Sequence, residues 1–316
     1  MLTDVILPIF FIVILGFIFR RLGRVDEKVF SRTQLYILSP ALIFAALTRH
    51  SAGIPILLEA LLFVAVLTSI LFAVAQASGF LLGETRVTRN ALSLASMFSN
   101  SGFYGIPVCM LAFGDEGVMY AAIFVAGSST MQSTLGIYTA SAGRSTPARA
   151  LKTVFKVPML YSIVLAKLLL ALDLLPPQPL MKMINLLGNS AIPLGLLLLG
   201  MQLESIISGI LNQRRSRPEI PEGPRMGKRA IMLGSGAAVI KLAGGFAVAL
   251  ILVRIFNFSG IMEKVFIVEA AMPTAVNAVV FATEFDCRPE VVTVGILFST
   301  LASIVTITMV LGFLGA

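Results

Sequence analysis

A chain of 316 residues that is 57% hydrophobic and only 13% charged, with a mean hydropathy of +0.95, does not have the composition of a water-soluble domain, which carries about 25% charge. The net charge of +8 does not point to nucleic acid, because the basic residues sit in the gaps between apolar runs, as in the cytoplasmic loops of membrane proteins. The two cysteines, Cys109 and Cys287, fall in different regions and set up no disulfide framework.

A membrane-spanning helix needs roughly 20 apolar residues. Apolar runs predict ten spans, near 4–22, 30–47, 55–80, 91–113, 118–141, 155–175, 180–203, 229–255, 261–284 and 291–314. The opening MLTD has no Lys or Arg ahead of its apolar run, so the first run reads as a retained helix and not a cleaved leader. The second run is interrupted by Gln34 and Pro40. Loops after odd-numbered spans hold 17 of the 24 Lys and Arg residues, against 4 for even-numbered loops. That bias places the odd loops and their basic residues inside and both termini outside, in a multi-pass protein of the cell membrane.

Three proline pairs mark an internal repeat: Pro8 with Pro158, Pro40 with Pro193, and Pro107 with Pro273. Each half holds five spans, an odd number, so the second copy enters from the opposite side and the repeat is inverted. The halves are residues 1–142 and 155–316, joined by a short cytoplasmic connector at 143–154. Residues 204–228, rich in Arg, Pro and Gly, read as a long basic cytoplasmic loop that can touch anionic lipid headgroups.

Two stretches break the apolar pattern. SNSGFYGIP at Ser99–Pro107 and EAAMPTAVN at Glu269–Asn277 put Gly, Pro, Asn and an acid inside predicted spans. Polar or broken backbone at membrane depth survives only where protein or a water-filled cavity satisfies it. Gly102, Gly105 and Pro107 can interrupt span 4, and Pro273 span 9, with each proline suited to the first position of a new helix. A half-helix that starts there offers free amides and a positive dipole end to a carboxylate. Asn100 and Asn277 add neutral hydrogen-bonding groups beside the breaks.

SNSGFYGIPVCMLAFG (99–114) and EAAMPTAVNAVVFATEFDCRPEVV (269–292) resemble the fourth and ninth helices of the auxin efflux carrier family, which includes plant PIN-type carriers and shorter bacterial relatives. LYILSPALIFAAL (35–47) and AIPLGLLLLGMQL (191–203) resemble its second and seventh helices. The resemblance implies an all-α membrane protein of ten transmembrane helices in two inverted five-helix repeats, with helices 4 and 9 broken and crossing at mid-membrane. It also implies secondary transport of a small organic anion by alternating access, with a scaffold and a transport domain moving relative to each other. Asn100, Pro107, Pro273 and Asn277 match the crossover motif by position. The plant carriers' large central loop is missing here, which argues against auxin itself. Analogy with the bacterial relatives implies a mono- or dicarboxylate such as malonate or malate.

Coupling to an ion needs a titratable or ion-binding group. Glu269 lies about one helical turn before Pro273, and a carboxyl there suits a proton-linked acid. Lys241 in span 8 or Lys167 in span 6 is expected to pair with it or to meet the substrate. A sodium site is the alternative, with oxygens from Ser99, Ser101, Thr274 and Asn277. Substrate-binding residues are therefore expected among Asn100, Gly102, Gly105, Pro107, Pro273, Thr274 and Asn277, and coupling residues at Glu269 and Lys241. No metal site or cofactor is expected, since His50 is the only histidine. The acidic turn at 114–117 fits a helix hairpin as well as a surface cation. The partners expected are the anion, a proton or sodium, and membrane lipid; a homodimer is compatible with the sequence. A membrane-embedded enzyme acting on lipid or peptide would need a nucleophile and base at mid-depth, and no such set is apparent. A channel or sensor on a carrier fold would lack saturable counterflow.

Overall fold

The computed structural model describes residues 5–23, 25–49, 53–141, 158–215 and 227–315, the side chains of 160 and 210–215 excepted. All regular structure among them is helical: α1 Leu7–Gly23, α2 Glu27–Arg49, α3 Ile54–Leu81, α4 Arg86–Met97, α5 Ser101–Ala140, α6 Pro158–Ala171, α7 Gln178–Arg215, α8 Lys228–Ile255, α9 Gly260–Ala270, α10 Asn277–Glu284 and α11 Pro289–Phe313. Six of these, α2, α3, α5, α7, α8 and α11, contain stretches long and apolar enough to cross a membrane. The difference from the ten apolar runs has local causes. Runs four and nine are each cut in two, leaving α4 at about 18 Å and α10 at about 12 Å by the rise of 1.5 Å per residue. Runs four and five share α5, which bends at Gly114. The described lengths of α1 and α6 are 17 and 14 residues.

Pro40 does not stop α2. A π turn at Gln34–Leu38 precedes it, in which the Ser39 N–H donates to the Gln34 carbonyl, so the wide turn absorbs the irregularity that proline introduces. α7 likewise runs through Pro193 to Arg215. This corrects the predicted loop at 204–228, whose first twelve residues are helix. Glu204 is buried there and accepts from Arg20 (3.1 Å) and Arg21 (3.5 Å) of α1 and from Ser208. An acid that looks like the start of a loop is thus neutralised by the basic end of a neighbouring helix. The rest of that stretch (216–226), the connector 143–154 and His50 lie outside the described residues.

The helices pack as two bodies. In the first, α1 lies along α7, and α2 packs on α6 and α7. Glycine makes the α1–α7 approach: a Cβ at Gly16 would sit 2.8 Å from Leu197 Cα, so a larger residue would force the helices apart. In the second body, α3 packs on α4, α5 and α8, α8 on α9 and α11, and α9 on α5. Phe63 joins it, with rings of Phe256, Phe258 and Phe266 at 5.0–5.7 Å and largely edge-to-face, and Phe124 extends the cluster. The bodies meet where α2 and α7 touch α5.

Candidate functional site

The site is built from two breaks that satisfy each other. α4 stops at Met97, and Phe98 takes an extended conformation. α9 stops at Ala270. The segments that follow run antiparallel and pair: the Asn100 N–H donates to the Pro273 carbonyl (2.7 Å), the Ala275 N–H to the Phe98 carbonyl (2.9 Å), and Ser99 and Thr274 form an isolated β-bridge. A buried break would leave backbone donors and acceptors orphaned, and the pairing answers that need from the two breaks themselves.

The ends that arrive at the crossing are capped from within the protein. Thr274, fully buried, donates its hydroxyl to the Ala95 carbonyl in the last turn of α4 (2.6 Å), while its N–H donates to Ser299 Oγ (3.0 Å). Lys241, also fully buried, donates Nζ to the Ala270 carbonyl at the end of α9 (2.6 Å). This donor satisfies a carbonyl that the end of the helix leaves without a backbone partner. The two ends that leave the crossing are the first turns of α5 and α10. In these turns the Tyr104 and Gly105 N–H groups donate to the Asn100 carbonyl, and those of Ala278 and Val279 to the Ala275 and Val276 carbonyls. Ser101–Phe103 and Asn277 are left as the opening N–H groups without a backbone partner among the described residues. Asn100–Phe103 and Ala275–Asn277 line one pocket.

That pocket offers about 60 Å³ to the centre of a water-sized sphere. A polar cavity of this volume has room for a few waters or a small polar ligand. Asn100 is 5% exposed, and its Nδ2 has no hydrogen-bond partner. Asn277 is exposed at the start of α10. Opposite them, α5 contributes Ser128, Ser129 and Gln132, with Gln132 Nε2 donating to Ser128 Oγ (3.3 Å). None of the lining residues among those described is charged.

Of the residues expected at the site, Asn100, Gly102 and Asn277 line the pocket; Gly105, Pro107, Pro273 and Thr274 stand behind it. Pro273 does not open a helix, since α10 begins at Asn277, and Pro107 follows a π turn at Ser101–Gly105. The polar face of α5 was not among the expected residues, although the run GSSTMQST at 127–134 carries its signal.

Glu269 is fully buried against the first turn of α5. Cys109 Sγ donates to its Oε1 (3.7 Å), Ser101 lies beside it, and Oε2 has no partner. A Cβ at Gly105 would sit 2.6 Å from its Cδ, so glycine is what admits the carboxyl. The expected contact with Lys241 is through space: the ammonium bonds Ala270, and no direct ion pair forms. Lys167 is half-buried on α6.

Two paired helix breaks beside a small polar pocket, set in an all-helical frame with six helices long and apolar enough to cross a membrane, fit an integral membrane protein. The family described as membrane transport protein matches residues 1–311, and the chain belongs to this auxin efflux carrier-type family. An uncharacterized transporter of Methanocaldococcus jannaschii is 25% identical over 318 aligned positions, covering 97% of this chain and 96% of that protein. An uncharacterized transporter of Methanothermobacter thermautotrophicus is 26% identical over 315, with coverage of 97% and 96%.

Proposed function

We propose that the protein is a secondary carrier of a small organic anion, a mono- or dicarboxylate, working by alternating access with proton coupling. The observation that carries this reading is the pocket at the crossing, where two half-helix N-termini converge with the unpartnered amide of Asn100. Each such terminus suits an anion. The pocket's size fits a substrate of a few heavy atoms.

An inverted repeat is supported by the packing. Number the apolar runs one to ten and exchange one with six, two with seven, and so on to five with ten. The α1–α7 contact becomes α6–α2, the α3–α5 contact becomes α8–α11, and the contact of α9 with α5 becomes that of α4 with α11; all of these are present. Runs one, two, six and seven then make a scaffold, and the rest a transport body.

Glu269 gives the coupling a physical basis. Its carboxyl and an anion in the pocket would share the first turn of α5. Like charges at one site disfavour each other, so binding of the anion goes with binding of a proton. In proteoliposomes, uptake of a labelled carboxylate should be saturable and accelerated by an inwardly directed proton gradient. In Glu269→Gln, exchange should persist without response to that gradient. An unchanged gradient response in Glu269→Gln removes this residue from the coupling, and gradient-insensitive flux in the wild type removes proton coupling altogether.

A further inference from the structure

We propose that Arg49, Asp115 and Asn185 form a latch that holds the two bodies together on the side of the crossing opposite the pocket. The proposal rests on the carrier reading, since a latch between moving bodies has a purpose only if they move. Arg49 closes α2, in the first body. Its Nη1 donates to Asp115 Oδ2 on α5, in the second body (2.8 Å), and its Nη2 donates to Asn185 Oδ1 on α7, in its own body (2.8 Å). Asn185 thus fixes the guanidinium while Asp115 engages it from across the boundary, and a guanidinium fork suits two acceptors held in this way. The other ion pairs between described residues stay inside one body. Arg20–Glu27 and Arg20–Glu204 tie the first together; Arg229–Glu84, Arg254–Glu263 and Arg288–Glu290 tie the second.

The backbone presents Asp115 for this contact. Gly114 has φ 66° and ψ −156°, a region open almost only to glycine, and the bend turns the following residue out at the tip. The geometry also sets latch and pocket apart. Asp115 and Gln132 lie about 25 Å apart along α5, and Arg49 and Leu35 about 21 Å apart along α2, at 1.5 Å per residue. Gln132 and Leu35 line the pocket. The conformation described here is therefore closed at the Arg49 end, and exposing the crossing on that side requires Arg49 and Asp115 to part. The pair is partly solvent-exposed, so it biases the two states without locking them, by about two- to fivefold in their ratio.

The test is the separation of the bodies in the purified, lipid-reconstituted protein. Spin labels are placed at Glu59→Cys on α3 and Met183→Cys on α7, both exposed positions, and the native cysteines are buried. Asp115→Arg, which faces Arg49 with a like charge, should raise the longer-distance population at least two- to fivefold. Arg49→Asp combined with Asp115→Arg should restore the wild-type distribution. Raising salt should move the wild type in the same direction as Asp115→Asn, because exposed charges are screened. An unchanged distribution in Asp115→Arg, or a shift that the charge swap does not reverse, overturns the latch. Saturable wild-type flux, measured alongside, separates a failed latch from a failed carrier reading.

Discussion

Asn277→Ala is expected to cut the proposed carboxylate uptake by about ten- to a hundredfold and to leave folding and membrane insertion intact. The second half of that expectation follows from exposure. Asn277 is the first residue of α10, its side chain is exposed to the pocket, and no internal hydrogen bond in the described fold uses it. Truncating a surface group of this kind changes stability by about half a kcal/mol at most. The first half follows from what the amide would do. A hydrogen bond to a charged group is worth about 1.5–3 kcal/mol, and every 1.4 kcal/mol is a factor of ten in affinity. Asn100→Ala should lower uptake as well, but it also empties a buried position, so its effect on stability is larger. Uptake rate in proteoliposomes and melting temperature in detergent, measured on the same preparations, separate the two contributions. Wild-type uptake by Asn277→Ala would remove it from the binding site.

Gly105→Ala destabilises the protein by about 1–3 kcal/mol, the usual cost of forcing an extra methyl into a filled interior. The added Cβ would meet the Glu269 carboxyl, with Cδ at 2.6 Å, and both residues are buried. The neighbour cannot swing into solvent, because Glu269 is fully enclosed by the crossing. Combining Gly105→Ala with Glu269→Ala should recover much of the loss, since residues in contact couple by about 0.5–3 kcal/mol. Combining it with Glu269→Gln should not, because glutamine keeps the volume. That contrast distinguishes crowding from electrostatics. Equal, additive losses in both double variants would mean that Gly105 and Glu269 do not touch. Unfolding midpoints of the three single variants and the two double variants decide the matter.

Much of this architecture is readable in the chain. The two interruptions at 99–107 and 269–277 stand out because Gly, Pro and Asn are costly in an apolar helix, and they are where the helices break. The register of the breaks is harder to read. Proline marks where a helix is disturbed, yet the ends are set by the pairing of Phe98–Asn100 with Pro273–Ala275, a tertiary contact between distant segments. That pairing moves the start of α10 to Asn277. Thr274 shows the same limit: its composition fits a ligand, but its hydroxyl is consumed by the Ala95 carbonyl. Lys241 was legible as a buried cation in need of a partner, and the partner proved to be a helix-end carbonyl. Glu204 looked like the edge of a polar loop because its neutralising arginines lie on another helix, α1. Ser128, Ser129 and Gln132 were obscured for a different reason. Small polar residues in membrane helices often serve helix packing, and only the fold shows which of them face a cavity.

The central claim is that the crossing binds a carboxylate, and ligand-dependent thermal stabilisation of the purified protein tests it most directly. A ligand that binds only the folded state adds about 2.7 kcal/mol of stability at one hundred times its Kd. Small carboxylates, added in turn at two pH values, should include at least one that raises the wild-type melting temperature in a saturable way, more strongly at the lower pH. The same carboxylate at equal concentration should stabilise Asn277→Ala clearly less, by about 0.4–1.4 kcal/mol for a ten- to hundredfold weaker Kd. A carboxylate that shifts both proteins equally, with no dependence on Asn277, would contradict binding at the crossing.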